Sequence, residues 1–121
     1  MTVQLPRVQQ ALADSSALTA IVADRITFGI APQDQTRPYV VWFVVSAVPE
    51  NLLGERPLED DQRVQVDCWH PTSQPICRQM MQAAVDALEG IGHIVFGPWY
   101  EFEPETKLHR WSFDLEVWNT R

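Results

Sequence analysis

Arg37-Pro38-Tyr39-Val40-Val41-Trp42-Phe43-Val44-Val45-Ser46 (RPYVVWFVVS) is the stretch on which the fold turns. Pro38 opens it, and β-branched and aromatic residues then run from Tyr39 to Val48, which predicts a strand. Tyr39, Val41, Phe43 and Val45 fall on one side, Val40, Trp42 and Val44 on the other. A strand buried on one side only should alternate with polar residues, and this one does not. Something is expected to cover its second face.

Downstream, 49–61 (PENLLGERPLEDD) reads as a loop rich in Pro, Gly and charge, with Leu52, Leu53 and Leu58 unusual for a solvated tip. A strand from Gln62 to His70 follows, alternating Val64, Val66 and Cys68 against Arg63, Gln65, Asp67 and Trp69. Consecutive strands joined this way pair antiparallel by default. His70-Pro71-Thr72-Ser73 ends that strand, and Thr72 or Ser73 can cap a helix from Gln74 to Glu89 with Pro75 in its first turn. Ile76, Met80, Ala83, Ala84, Ala87 and Leu88 form its apolar face, widened by Met81 and Val85, and Gly90 is placed to close its C-terminus. Two more strands complete the chain. His93 to Glu103 is interrupted by Gly97-Pro98, a bulge or bend. After a turn at Pro104 to Lys107, His109 to Trp118 sets Trp111, Phe113, Leu115 and Val117 inward and Arg110, Ser112, Asp114 and Glu116 outward.

Upstream, Leu5, Val8, Ala11 and Leu12 recur at helical spacing in a helix from Gln4 to Ala13. Asp14, Ser15 and Ser16 interrupt it, and a second helix from Ala17 to Ala23 buries Leu18, Ile21 and Val22. Arg25 to Gly29 is a candidate short strand and Ile30 to Arg37 a loop. The order predicts an α+β domain over 1–121: an antiparallel, possibly mixed, sheet of about four main strands with two or three helices packed on it.

The 121 residues suffice for one core, and 45% hydrophobic content is too rich for a disordered tail. The apolar run is far short of the about 20 residues a membrane helix needs, and no secretory leader is legible, so the expected compartment is the cytoplasm. The formal charge is -7, with nine basic residues scattered through the chain. Nucleic-acid binding needs a basic stripe along the phosphates, and none is present. Spacing permits a disulfide between Cys68 and Cys77, but cytoplasmic thiols are usually reduced.

Two constellations invite chemistry. Cys68, His70 and Cys77, with His93 or His109, resemble a metal set but lack the paired spacings of structural zinc sites. They read as core cysteines and a strand-end histidine, so no metal or other cofactor is expected. Glu101, Glu103 and Glu105 crowd a turn opposite Arg110, where acids on a strand edge discourage unwanted pairing. No nucleophile elbow, dinucleotide fingerprint or P-loop is present. The five tryptophans divide differently: Trp42 and Trp111 read as core, while Trp69, Trp99 and Trp118 read as contact residues. A chain this small has few elements with which to cover so many apolar faces.

The chain as a whole resembles the siphophage and prophage tail-completion family, the tail-terminator-like proteins. The resemblance rests on VQQALADSSALTAIVADRITFGIAP (8–32), RPYVVWFVVS (37–46), LLGERPLEDDQRVQVDCWHPT (52–72), the helix that follows, and WSFDLEVW (111–118). It implies a small α+β domain that forms a ring, commonly hexameric, at the head-proximal end of the tail tube. Such a ring stops tube growth and meets the head connector, while DNA passes through its hole without specific binding. The implied protein is a non-enzymatic homo-oligomer, made in the host cytoplasm and carried in the virion tail, with tube and connector proteins as partners. A ring needs two different patches per subunit. The expected ones are the loop with Leu52, Leu53 and Leu58, and the outer helix face with Met81 and Val85. The competing readings are another neck adaptor, a monomeric binding module, or a small hydrolase using Glu101, Glu103 and His109.

Overall fold

The computed structural model describes residues 7–30, 35–46 and 59–120, and the side chains of all of these except 46, 59–61 and 118–120. Among the described residues, three helices and five strands follow in the order α1 (Val8–Ala13), α2 (Ser16–Val22), β1 (Ile26–Phe28), β2 (Tyr39–Ser46), β3 (Glu59–His70), α3 (Gln74–Leu88), β4 (Gly92–Glu103) and β5 (Leu108–Thr120). They build one sheet in the order β1-β2-β3-β5-β4. β1 lies parallel to β2, and every other pair is antiparallel. The α+β expectation holds, with the short β1 as the fifth strand and the source of the one parallel pair.

Local chemistry sets the element ends. Ser15 caps α2, its Oγ accepting from the Leu18 N–H at 3.2 Å, and Ser73 caps α3 by accepting from Ile76 N–H at 3.1 Å. Pro75 stands in the first turn of α3, where its missing donor costs nothing. The C-terminal expectation for α3 is corrected: Glu89 ends it in right-handed geometry (φ -60°, ψ -26°), and Gly90 adopts no positive φ. The apolar face of α3 is also rotated from the expected one. Cys77 joins the expected Met80, Met81, Ala83, Ala84 and Leu88 in the core, while Ile76 is exposed.

All three helices lie on the sheet face carrying Val40, Trp42, Val64, Val66, Phe113 and Leu115. The β3–β5 ladder runs unbroken from Glu59↔Thr120 to His70↔His109, so the inward positions on both strands stay in phase and meet α3 together. Trp42 Nε1 donates to Gln9 Oε1 at 2.7 Å, and Gln9 Nε2 donates to the Ile26 carbonyl at 2.9 Å. One α1 side chain thus satisfies the buried indole and ties the helix to β1 and β2. Burying a side chain of Phe or Leu size here contributes about 1.5–3 kcal/mol.

The sheet's opposite face carries no described element. The cover expected for the second side of β2 is thus not supplied by any helix or strand among the described residues. Val41 is buried there by its lateral neighbours, while Tyr39 and Phe43 stay partly exposed. No helix among the described residues is long and apolar enough to cross a membrane.

Candidate functional site

The strand registers set the open face out in rows. Tyr39, Trp69, Arg110 and Glu101 form one row across β2, β3, β5 and β4; Val41, Asp67, Ser112 and Trp99 form the next; Phe43, Gln65, Asp114 and Phe96 the third. Aromatic rings thus flank a polar centre. Tyr39 stacks on Trp69 with centroids 6.1 Å apart, and the Arg110 guanidinium lies 5.3 Å from the Trp69 ring centre. Phe96 and Trp99 pack together at 5.3 Å.

The polar centre is more deeply buried than an outward strand face should be. Ser112 is 0% exposed, Asp67 6% and Asp114 7%. Arg63 donates to Asp114 Oδ2 from both Nε (3.1 Å) and a terminal nitrogen (2.8 Å). Arg110 pairs with Glu101 and lies 4.0 Å from Asp67, whose other oxygen accepts from Gln65 at 2.9 Å. Ser112 Oγ, Asp114 Oδ1 and Arg110 Nε are buried with no hydrogen-bond partner among the described residues. Buried polar atoms usually have partners, so this face is incompletely satisfied by the described residues.

The sheet has two contrasting edges. β1 is three residues long, and at Ile26 the N–H already donates to Asp24 O while the carbonyl accepts from Gln9. β4 is twelve residues long, but its register shifts on both sides of Phe96 and its middle carries Gly97 (φ +86°) and Pro98. That φ suits glycine, and a Cβ there would sit 2.7 Å from the Trp99 ring. Pro and a bulge on an edge strand discourage ladder extension.

The expected contact residues separate on inspection. Trp69 and Trp99 stand half-buried on the open face. Val85 is partly buried against the core. Met81, expected on an outer helix face, is 5% exposed and belongs to the subunit's own core, because the apolar arc of α3 wraps further round than a narrow stripe. Leu52, Leu53, Leu58 and the Trp118 side chain lie outside the described residues. Sequence reading did not single out Tyr39, Phe43 or Phe96 as open-face residues. Their placement follows only from the register, which lines up β2, β3, β5 and β4 in that order across the sheet.

The chemical constellations are also resolved. Glu101 and Glu103 share the face of Arg110 and Leu108, whereas His109 pairs with Phe102 on the other side of the sheet. The proposed hydrolase trio is therefore divided by the sheet. Glu103 accepts from Thr106 Oγ1 at 3.1 Å, and His109 Nδ1 lies 2.6 Å from the Tyr100 hydroxyl. His70 Nδ1 accepts the backbone N–H groups of Thr72 (3.2 Å) and Ser73 (3.0 Å), so this ring shapes the turn into α3. Burial, then the neighbouring His109, lowers its pKa from the ordinary 6.5. Cys77 Sγ donates to the Cys68 carbonyl at 3.0 Å, and both thiols are free and buried. Burial pushes the Cys77 thiol up to about 11 and Cys68 well above its usual value. A metal ligand needs the thiolate, which burial here disfavours.

Comparison with known proteins matches the family model described as Tail completion protein gp17 over residues 6–120. No curated protein matches the chain. Among solved structures, a chain from a "Virion of native gene transfer agent (GTA) particle" is similar, with TM-score 0.65, 14% identity, and 94% of this chain and 92% of that one covered. At that identity the likeness speaks for the fold. The family match spans nearly the whole chain: the protein belongs to the tail completion protein gp17 family, and is a structural protein of phage tails.

Proposed function

We propose that this tail completion protein assembles as a homo-oligomeric ring, hexameric in the simplest case, that caps the tail tube at its head-proximal end and helps join tail to head. The whole chain acts as one domain without catalysis. It is made in the host cytoplasm and retained in the virion tail, with the tube protein and the head–tail connector as its partners. Family membership supports the setting. The observation that carries the reading is the sheet face with no described element over it, where aromatic rings surround buried polar atoms that lack partners among the described residues.

A second protein surface over such a face would complete it, and tail joining is a task of making surfaces meet. A face of this kind is better suited to protein than to DNA, since its two arginines are already paired with carboxylates and leave little positive charge for phosphate. An acidic ring would let DNA pass without gripping it. Native mass spectrometry of the protein, alone and with purified tail tubes, tests the reading. Rings of one fixed mass, free or bound to tubes, are the expected result. Subunits that stay monomeric and ignore the tubes would overturn it.

A further inference from the structure

We infer that the two lateral edges of the sheet are the two halves of one heterologous contact between copies of this chain, the β4 edge of one copy meeting the β1 side of the next. The inference rests on the ring reading above and assigns its junction. Its basis is where apolar side chains remain exposed. Phe28 and Ile30 lie at the end of β1, and Val95, Phe96, Tyr100 and Phe102 lie along β4, Phe96 on the open face and Tyr100 and Phe102 on the opposite one, so that both sides of this edge are apolar. Only Val45 and Ile76 among the large exposed hydrophobics of the described residues lie elsewhere. Ile30 is 90% exposed and Phe96 58%, which is far from normal core behaviour.

These two patches sit at opposite ends of five strands, about 19 Å apart at the usual interstrand spacing. They therefore cannot form a single surface for one small partner. Two different patches on opposite sides of a subunit are what head-to-tail closure requires.

Charge selects the same pairing. The β4 end and its turn carry Glu101, Glu103 and Glu105, countered in that turn by Lys107 and across the hairpin by Arg110. The β1 side carries Arg25 and Arg37, with Asp24 beside them. Among the described residues no carboxylate forms an ion pair with either arginine. Arg25 is held instead by the Pro38 carbonyl at 2.8 Å and the Ile21 carbonyl at 3.4 Å. Two β4 edges brought together would set acidic ends side by side; β4 against β1 sets acid beside base. Because both edges are blunted against ladder extension, the junction is one of side chains rather than a continued sheet. It would bury on the order of 1,000 Å² in total if it is to be specific.

The test mixes two broken surfaces. Phe102→Asp spoils the β4 patch and Ile30→Asp the β1 patch, both at exposed positions, with circular dichroism to verify folding. A serine version replaces either variant that unfolds. Wild type, each variant and an equal mixture are weighed by native mass spectrometry, alone and with tail tubes. The expected result is a ring for wild type, monomers for each variant, and a mixture that stops at a dimer holding one of each. That dimer has the one intact junction the pair can still make. Variants that close rings of wild-type mass, dimerise by themselves, or remain monomeric when mixed would overturn the edge assignment. Failure of wild type itself to assemble in either condition would sink the ring reading, a result separable from the other.

Discussion

The two faces of one sheet differ more than their strand patterns suggest. Toward the helices, Val64, Val66, Phe113 and Leu115 are sealed under α3. Away from them, Asp67, Ser112 and Asp114 are nearly as buried with no described element above them, sheltered beside Trp69, Trp99 and two arginines. On the first face most buried groups are apolar and need only contact, and Trp111 Nε1 is its one buried side-chain polar atom without a partner among the described residues. On the second the buried groups are polar and need matched partners, and Arg110 Nε, Ser112 Oγ and Asp114 Oδ1 have none among the described residues. Burial alone therefore does not identify the stability core of this protein; the kind of atom buried does.

Three perturbations sharpen that contrast. Phe113→Ala empties space under α3 and should destabilise the subunit by about 3–5 kcal/mol, read from urea or guanidinium unfolding. A loss below 1 kcal/mol would mean the helix-side face is not the core. Arg63→Ala on the open face should cost less, about 1–2 kcal/mol, because the arginine is itself 43% exposed while Asp114 is left without its bonded partner. An effect equal to that of Phe113→Ala would erase the distinction between the faces.

The smallest effect concerns His70, at the end of β3 where the sheet meets α3. Its folded-state pKa lies below the ordinary 6.5, through burial first and His109 second. The unfolded chain thus binds the proton more readily, so the contribution is intact above that value and is lost as pH falls through it. Protonation at Nδ1 would also end its acceptance of the Thr72 and Ser73 N–H groups. Unfolding midpoints compared at roughly pH 8 and pH 5 should show a decline in wild type that His70→Asn flattens. An unchanged slope in the variant would show that other groups govern it.

The architecture was largely legible because periodicity and caps are local. RPYVVWFVVS announced its strand, the cap formers at Asp14 to Ser16 and at Thr72 or Ser73 their helices, and Gly97-Pro98 its bulge or bend. Gly90 and Met81 were misread for the same reason: a glycine after a helix and a methionine beside its stripe have more than one local solution, and packing chooses. The open face was not legible. Arg110, Ser112 and Asp114 alternate as solvent-facing residues do, and only the β3–β5 and β4–β5 registers set the side chains of β3 and β4 beside them. Likewise Glu101, Glu103 and His109 look adjacent in sequence, while strand geometry puts the histidine behind the sheet.

Length control of the tail tube is the most direct gauge of the assembly role. Tube protein is polymerised with and without this chain and viewed by negative-stain electron microscopy. With it, tubes should stop growing and each should bear a closed ring at one end. Tubes that keep elongating with bare ends, the added protein remaining apart from them, would contradict the account.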